Sequence, residues 1–279
     1  MGKRANIDYF KEQQFLKEGY CVLKAFLQPR VLQAVREELN KLMDTEAKKL
    51  LEEGEVDSDF REEPFETRMV KLFQRCPQRA PYTWRMRLNL PGFFHLFFHP
   101  ELLDVVEQFL GPEIRLYPAY NARAKLPYNK KTEVLWHQDS AYTKFESDRL
   151  RMITAWTPLV PCTYENGAMQ IIPGTHKAGR VRHVKKEHYL EIDENVLVAV
   201  AGQATHLEVI PGDVVLLHNM LFHRGLLNRS NHTRWNMDWR YQDATQPTMC
   251  VWEGSLARSR LHPERTVRSP EQWASMTFQ

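Results

Sequence analysis

Four consecutive residues, Trp136-His137-Gln138-Asp139, carry the side chains best suited to chemistry in this chain. In an extended backbone alternate side chains share a face, so His137 and Asp139 can reach one point together. A third donor stands in Leu217-His218-Asn219-Met220-Leu221-Phe222-His223-Arg224-Gly225, where His218 and His223 compete for the role. Two imidazoles and one carboxylate on one face of an octahedron leave the opposite face open, the arrangement of non-haem Fe(II) oxygenases. The open positions are the chemical point: a bidentate oxo acid and O2 can then meet on one metal. Alone, a His-x-Asp pair is common and usually ends as a hydrogen-bonded strand edge. Its surroundings must decide.

Arg234 lies eleven residues after His223 and opens a segment with clean alternation. Arg234, Asn236, Asp238 and Arg240 fall on one face; Trp235, Met237, Trp239 and Tyr241 fall on the other. If the bulky face packs under helices, the polar face looks inward. Two inward arginines then need an anionic guest or paired acids, because unpaired buried charge is costly. A guanidinium fork matches a carboxylate bidentately. The spacing to Arg234, together with Gly225, favours His223 over His218 as the distal ligand. Asn236, Asp238 and Arg240 are the preferred substrate contacts, with an internal Asp238–Arg240 ion pair as an equal alternative. Asn121, with Tyr120 and Arg123 before the metal segment, and Tyr142, with Lys144 after it, are further pocket candidates. His95 and His99 have helical i, i+4 spacing but no Glu follows His95, so packing histidines are expected. His176, His183 and His188 lie in or beside the basic stretch 177–186, which reads as a surface loop.

The elements that must hold these residues change character along the chain. Residues 8–17 suit a short helix closed at Gly19, and Tyr20-Cys21-Val22-Leu23 a strand. Val31, Leu32, Val35, Leu39, Leu42 and Met43 recur at helical spacing, and the acidic stretch 46–66 reads as a solvated loop. A second helix is expected over 100–110, stopped by Gly111-Pro112. From Ile114 onward come short runs rich in Val, Ile, Trp and Tyr, including 152–158, 169–173, 204–210, 214–218 and 234–241. Many short strands between turn residues argue for a sandwich or barrel, making the whole α+β with a mainly β core.

Composition sets the outer bounds. The 279 residues carry 38 Lys+Arg against 35 Asp+Glu, a formal charge of +3, and the basic residues are interleaved with acids. That excludes the concentrated basic stripe of a nucleic-acid binder and leaves a small-molecule substrate as the expected partner. Cys21, Cys76, Cys162 and Cys250 show no C-x-x-C pair and read as reduced thiols. No apolar run follows the charged start, no stretch approaches a membrane span, and the expected location is the cytoplasm.

Several segments bring a family into view. His137-Gln138-Asp139-Ser140-Ala141-Tyr142 resembles the HQDxxY signature of the phytanoyl-CoA dioxygenase family. Trp156 resembles that family's tryptophan on the next strand, and Asn166-Gly167 through Pro173-Gly174-Thr175-His176-Lys177 its NG…PGTHK turn. Pro211-Gly212-Asp213, the spacing from His223 to Arg234, and the opening Phe15-Leu16-Lys17-Glu18-Gly19-Tyr20 are similar to its remaining landmarks. The likeness covers nearly the whole chain, with the motifs in order. It implies one domain: a helical part over about 1–112, a cupin-like double-stranded β-helix (jelly roll) over about 113–245, and an extension over about 246–279. It further implies Fe(II) on His137, Asp139 and His223, with 2-oxoglutarate and O2 as co-substrates. The distal carboxylate of 2-oxoglutarate would meet Arg234, supported by Gln138 and Trp156, and Lys71 would match a lysine that holds the co-substrate in some members. Related halogenases carry a small residue where Asp139 stands, so hydroxylation of a small polar or charged metabolite is expected, releasing succinate and CO2. Desaturation, ring formation, or oxidation of an acyl-CoA or natural-product intermediate are alternative outcomes of the same chemistry. Outside that class stand a zinc-dependent hydrolase, which three ligands also suit, and a non-catalytic jelly-roll binding protein.

Overall fold

The computed structural model describes residues 8–85, 88–143 and 149–276. The chain begins with α1 (Tyr9–Glu18), whose first turn is capped by the Asp8 carboxylate and whose end is closed by Gly19 at φ 82°. A side chain there would be strained, and its Cβ would stand 2.5 Å from the His176 ring. Next come β1 (Tyr20–Leu23), α2 (Pro29–Glu52), α3 (Phe65–Leu72), β2 (Thr83–Trp84), α4 (Pro91–Phe97) and α5 (Pro100–Leu110). The β-rich part follows as β3 (Ile114–Lys125), β4 (Val134–His137), β5 (Met152–Pro158), β6 (Met169–Ile172), β7 (His183–Lys185) and β8 (Leu190–Ile192). After α6 (Glu194–Leu197) stand β9 (Thr205–Leu207), β10 (Val214–His218), β11 (Phe222–Gly225), β12 (Arg234–Asp243), β13 (Ser255–Arg258) and α7 (Pro270–Ser275).

The acidic stretch 46–66 is only partly a loop. Helix α2 runs on to Glu52, because Ala47 and Leu50 keep its buried stripe going and Lys49 pairs with Glu46 on the wet side. Phe65 then opens α3, and α4 is a further short helix that no periodic pattern announces. Its close seat on α2 requires Gly92, where a Cβ would come 2.5 Å from the Ala34 carbonyl; the Gly92 N–H donates to Glu38.

Two antiparallel sheets make the jelly roll. The larger runs β1-β10-β5-β12-β3-β13 with β2 also on β3, and the smaller runs β4-β11-β6-β9; β7 and β8 form a separate hairpin. The outer part of the chain is therefore woven into the sheet, since β1 pairs with β10 and β13 with β3. Helix α7 buries Trp273, whose indole N–H donates to Leu88 O at 2.9 Å.

β12 divides the molecule. Trp235, Met237, Trp239 and Tyr241 are fully buried on the helix side, where Trp84 and Phe65 stack on Trp235 and Phe97 meets Trp239. Its polar face turns toward the smaller sheet. Between the sheets Trp156, Val215 and Leu217 share an apolar cluster with Met169, Ile171 and Leu221. No helix among the described residues is long and apolar enough to cross a membrane. Trp239→Ala should cost about 3–5 kcal/mol by opening a cavity under the helices. Urea unfolding measures this, and a loss below about 1 kcal/mol would show that the side chain does not hold sheet to helix.

Candidate metal centre

The smaller sheet brings the two histidines together. β4 and β11 are antiparallel neighbours, and their register sets His137 directly opposite His223, with ring centroids 4.1 Å apart. β4 ends at His137. Gln138 stays extended at φ −110°, ψ 141°, and Asp139 opens a 3-10 turn that runs to Tyr142. The expected alternation thus holds across a strand end, but Asp139 is not itself a strand residue. Each imidazole Nε2 lies 4.0 Å from Asp139 Oδ1, and the donor atoms of all three residues lie within 4.8 Å of one another. Those distances are too long for hydrogen bonds. The three side chains face a common point.

The chemistry of the donors fits a divalent metal. His137 Nδ1 bonds Leu135 O at 2.8 Å, and His223 Nδ1 bonds Leu221 O at 3.0 Å. A carbonyl only accepts, so both Nδ1 atoms carry the proton and both Nε2 lone pairs point at the shared site. Burial, reinforced by His223, pushes the His137 imidazole down to about 3. It is neutral at physiological pH and ready to ligate. Burial would raise the Asp139 carboxyl, but the Arg240 guanidinium, the two imidazoles and the Thr154 hydroxyl outweigh it and keep it ionised.

A charged network holds that carboxylate. Arg240 Nη2 donates to Asp139 Oδ1 at 2.7 Å while Thr154 Oγ1 donates to Oδ2. The other arm of Arg240 reaches Asp238 Oδ1 at 2.7 Å, and Asp238 also receives Asn121 Nδ2 and Arg123 Nε. Burial opposes ionisation of Asp238, but Arg123 and Arg240 bring its carboxyl down to about 2. Of the expected substrate contacts, Asn121, Asp238 and Arg240 are therefore engaged with each other and with the ligand carboxylate. The internal ion pair is what the fold contains.

Beyond the histidines lies an inner chamber of about 70 Å³, lined by Arg234, Asn236, Lys125, Trp156 and Met169 among others. Arg234 is buried, donates to Gly167 O at 3.2 Å and to Asn236 Oδ1, and its guanidinium stands 5.6 Å from the Trp156 ring centroid. No carboxylate reaches it among the described residues, and Arg234 Nε and Asn236 Nδ2 are buried without partners. Gly167 closes this wall at φ 88°, where a Cβ would stand 2.5 Å from Leu226 O. Lys125, absent from the sequence-derived candidates, is also buried here and donates to Thr132 O and Leu226 O. Burial, then Arg234 and Arg123, push its amine far below the ordinary lysine value. A signal for it existed: Asn121, Arg123 and Lys125 alternate with Ala122 and Ala124. In register they face Asp238, Asn236 and Arg234.

Other candidates lie elsewhere. Lys71 is exposed on α3 and lines neither chamber, because α3 packs on the helical side of the sheet. Gln138 is fully buried but points away from the triad, as alternation requires. Its amide N–H groups donate to Gly179 O and Met220 O, and its Oε1 accepts from Val181 N. It braces a loop. His218 packs against His176 with centroids 5.0 Å apart and does not join the triad. His95 is exposed in α4 whereas His99 caps α5, so they share no helix. Tyr142 stands at the rim of a second, outer chamber of about 510 Å³ that opens onto His137 and Asp139. Lys144 lies outside the described residues. Arg85, Tyr117, Tyr189 and Trp252 also line this chamber. They come from separate loops and strands with no shared motif, which is why the sequence alone does not single them out.

Known proteins share this arrangement of chain. A profile of the family described as Phytanoyl-CoA dioxygenase (PhyH) matches residues 15–236. The chain is 31% identical over 163 residues to 1-deoxypentalenic acid 11-beta-hydroxylase of Streptomyces arenae, covering 54% of this chain and 56% of that protein. It is 25% identical over 244 residues to the peroxisomal phytanoyl-CoA dioxygenase of Homo sapiens, covering 82% and 67%. The match thus spans little more than half the length of the Streptomyces relative. The crystal structure of EctD from S. alaskensis in its apoform superposes with a TM-score of 0.64 at 20% identity, over 97% of this chain and 90% of that one. At that identity the likeness establishes the jelly-roll fold.

Arg240→Met should weaken Fe(II) or Co(II) binding by about 10–100-fold, the usual effect of removing a residue that orients a ligand. Anaerobic metal titration reads it, and unchanged affinity would remove Arg240 from that role. The histidines also set an acid limit. Burial pushes His218 down to about 4, so it stays neutral in the folded chain while its unfolded form takes a proton near 6.5. Its contribution is complete above that value and is lost as pH falls toward 4, as is that of His137 toward 3. Urea midpoints of the metal-free protein should fall across this window, less steeply in His218→Gln; an equal slope in the variant would refute the assignment.

Proposed function

The chain belongs to the phytanoyl-CoA dioxygenase family, and on that premise we propose that it is an Fe(II)- and 2-oxoglutarate-dependent dioxygenase. It hydroxylates a small polar or charged metabolite, takes O2 as second co-substrate, and releases succinate and CO2. One observation carries this reading: Arg234, a buried guanidinium with no carboxylate partner among the described residues, lines a small chamber together with His137 and His223 of the converging His-Asp-His triad. A hydrolase needs the metal but not the clamp, and a binding protein needs neither.

Each residue has a task. His137, Asp139 and His223 hold the iron, and bound there with 2-oxoglutarate it supplies the oxidising power for C–H oxidation. Arg234, aided by the free Asn236 amide, receives the distal carboxylate. Lys125 closes the same wall, its amine donating to Thr132 O and Leu226 O. Trp156 packs along the guanidinium and keeps water from it. Arg240 and Thr154 hold Asp139 from both oxygens, so the carboxylate cannot swing out of the ligand position. The substrate enters from the outer chamber, the open side of His137 and Asp139. A carboxylate at position 139 leaves no place for a halide, which favours hydroxylation. In support of a cytoplasmic setting, all four cysteines are free thiols.

Anaerobic addition of Fe(II) and 2-oxoglutarate should give a weak visible charge-transfer band, and air should then release succinate slowly. In Arg234→Ala the 2-oxoglutarate needed for half the band should rise by about 10-fold or more, the loss expected for a charge-assisted hydrogen-bond pair. Iron affinity should be unaltered. An unchanged co-substrate requirement would remove Arg234 from the clamp, and Zn(II)-supported hydrolysis without any band would replace the reading.

A further inference from the structure

The outer chamber carries more positive charge than its acids can balance. Arg85, Arg123 and Arg240 reach it, against Asp139 and the adjoining Asp238. Both carboxylates are already used: Arg240 spans the two, and Arg123 takes Asp238 through Nε. Arg123 Nη1 and the whole Arg85 guanidinium have no hydrogen-bond partner among the described residues. His188 at the rim is paired with Glu187 at 3.4 Å. Much of the remaining wall is aromatic, and three of its hydroxyls are engaged elsewhere. Tyr117 Oη meets Cys250 Sγ at 2.9 Å, Tyr189 Oη donates to Lys131 O at 2.7 Å, and Tyr142 Oη accepts from Leu190 N at 3.1 Å. Toward the chamber these three residues offer mainly ring surface, beside the guanidiniums of Arg85 and Arg123.

Resting on the cofactor reading above, we propose that this chamber selects a substrate with an acidic group, a carboxylate or phosphonate, held by Arg85 and the free edge of Arg123. The rest of the substrate is a compact apolar body against the rings of Tyr117, Tyr189 and Trp252. A guanidinium pair matches an oxyanion in charge and in donor geometry. A cationic substrate would meet like charge, and a neutral one would leave the arginines unpaired when it displaces water.

The test uses the iron-loaded enzyme and follows CO2 from carbon-1-labelled 2-oxoglutarate. The probes are small cyclic carboxylic and phosphonic acids, their methyl esters and the corresponding amines. Acids should stimulate release, and the ester of the best acid should need about 10-fold more for the same effect, as expected for loss of a charge-assisted contact. Whether the carboxylates or the phosphonates act decides the acidic group. Arg85 is exposed at the rim, so Arg85→Gln should fold; it should raise the half-saturating concentration of that acid about 10-fold. The anaerobic band and the 2-oxoglutarate requirement should stay those of the parent. Esters or amines equal to the acids, no stimulation by any acid, or an Arg85→Gln effect confined to 2-oxoglutarate would each overturn the proposal. Absence of the band from the parent enzyme overturns the cofactor reading, and this one with it.

Discussion

The register between β4 and β11 is the constraint on which the site depends. Hydrogen bonding across that pair sets His137 opposite His223, and β6 on the far side of β11 keeps the latter in place. Side chains alternate with a period of two, so a slip of one residue would send an imidazole to the other face. That other face carries Trp136 beneath the Arg224 guanidinium, 4.8 Å from it. Exchanging it with the histidines would bury a large aromatic among charges and set the imidazoles in the apolar cluster of Ile172, Ile192 and Phe222. The apolar layer between the sheets therefore helps to fix the register that brings the two histidines together.

A second constraint is electrical. The polar face of β12 and the polar face of β3 meet in register, which collects Arg234, Asp238, Arg240, Asn121, Arg123 and Lys125 in a small volume. Such a collection is tolerable only when each charge has a partner or a guest. The solution is spatially ordered. Acids and arginines neutralise one another beside the triad, whereas the cations at either end, Arg234 inward and Arg85 outward, make no ion pair among the described residues. Asp139 stands at the junction. Its charge is shared with Arg240 and so is only partly available to a metal, which bears on the electron density that the ligand supplies.

Rigid elements supply the framework for this arrangement. β12 is held from behind by Trp235, Trp239 and Tyr241, the last donating to Phe97 O at 2.7 Å. The two ends of the chain, through β1 and β13, extend the sheet and keep its central strands away from solvent. Rigidity behind the strand is what lets four polar side chains in front of it hold fixed positions.

Much of this was legible in the amino-acid order. The face division of β12, the triad, the caps of α1 and α5 and several strand limits follow from periodicity and residue type, which are local properties. The orientation of Gln138 was open to the same reasoning, since its neighbours on both sides face the metal. Other features were not local. The extension of α2 through an acidic stretch depended on Ala47 and Leu50 finding a buried neighbourhood, and Lys71 was placed by where α3 docks. By itself the sequence determined which side chains could ligate a metal and which strand face would be charged. Only the tertiary structure decided which charges neutralise one another and which stay free, because pairing depends on strands far apart in the chain being brought into register.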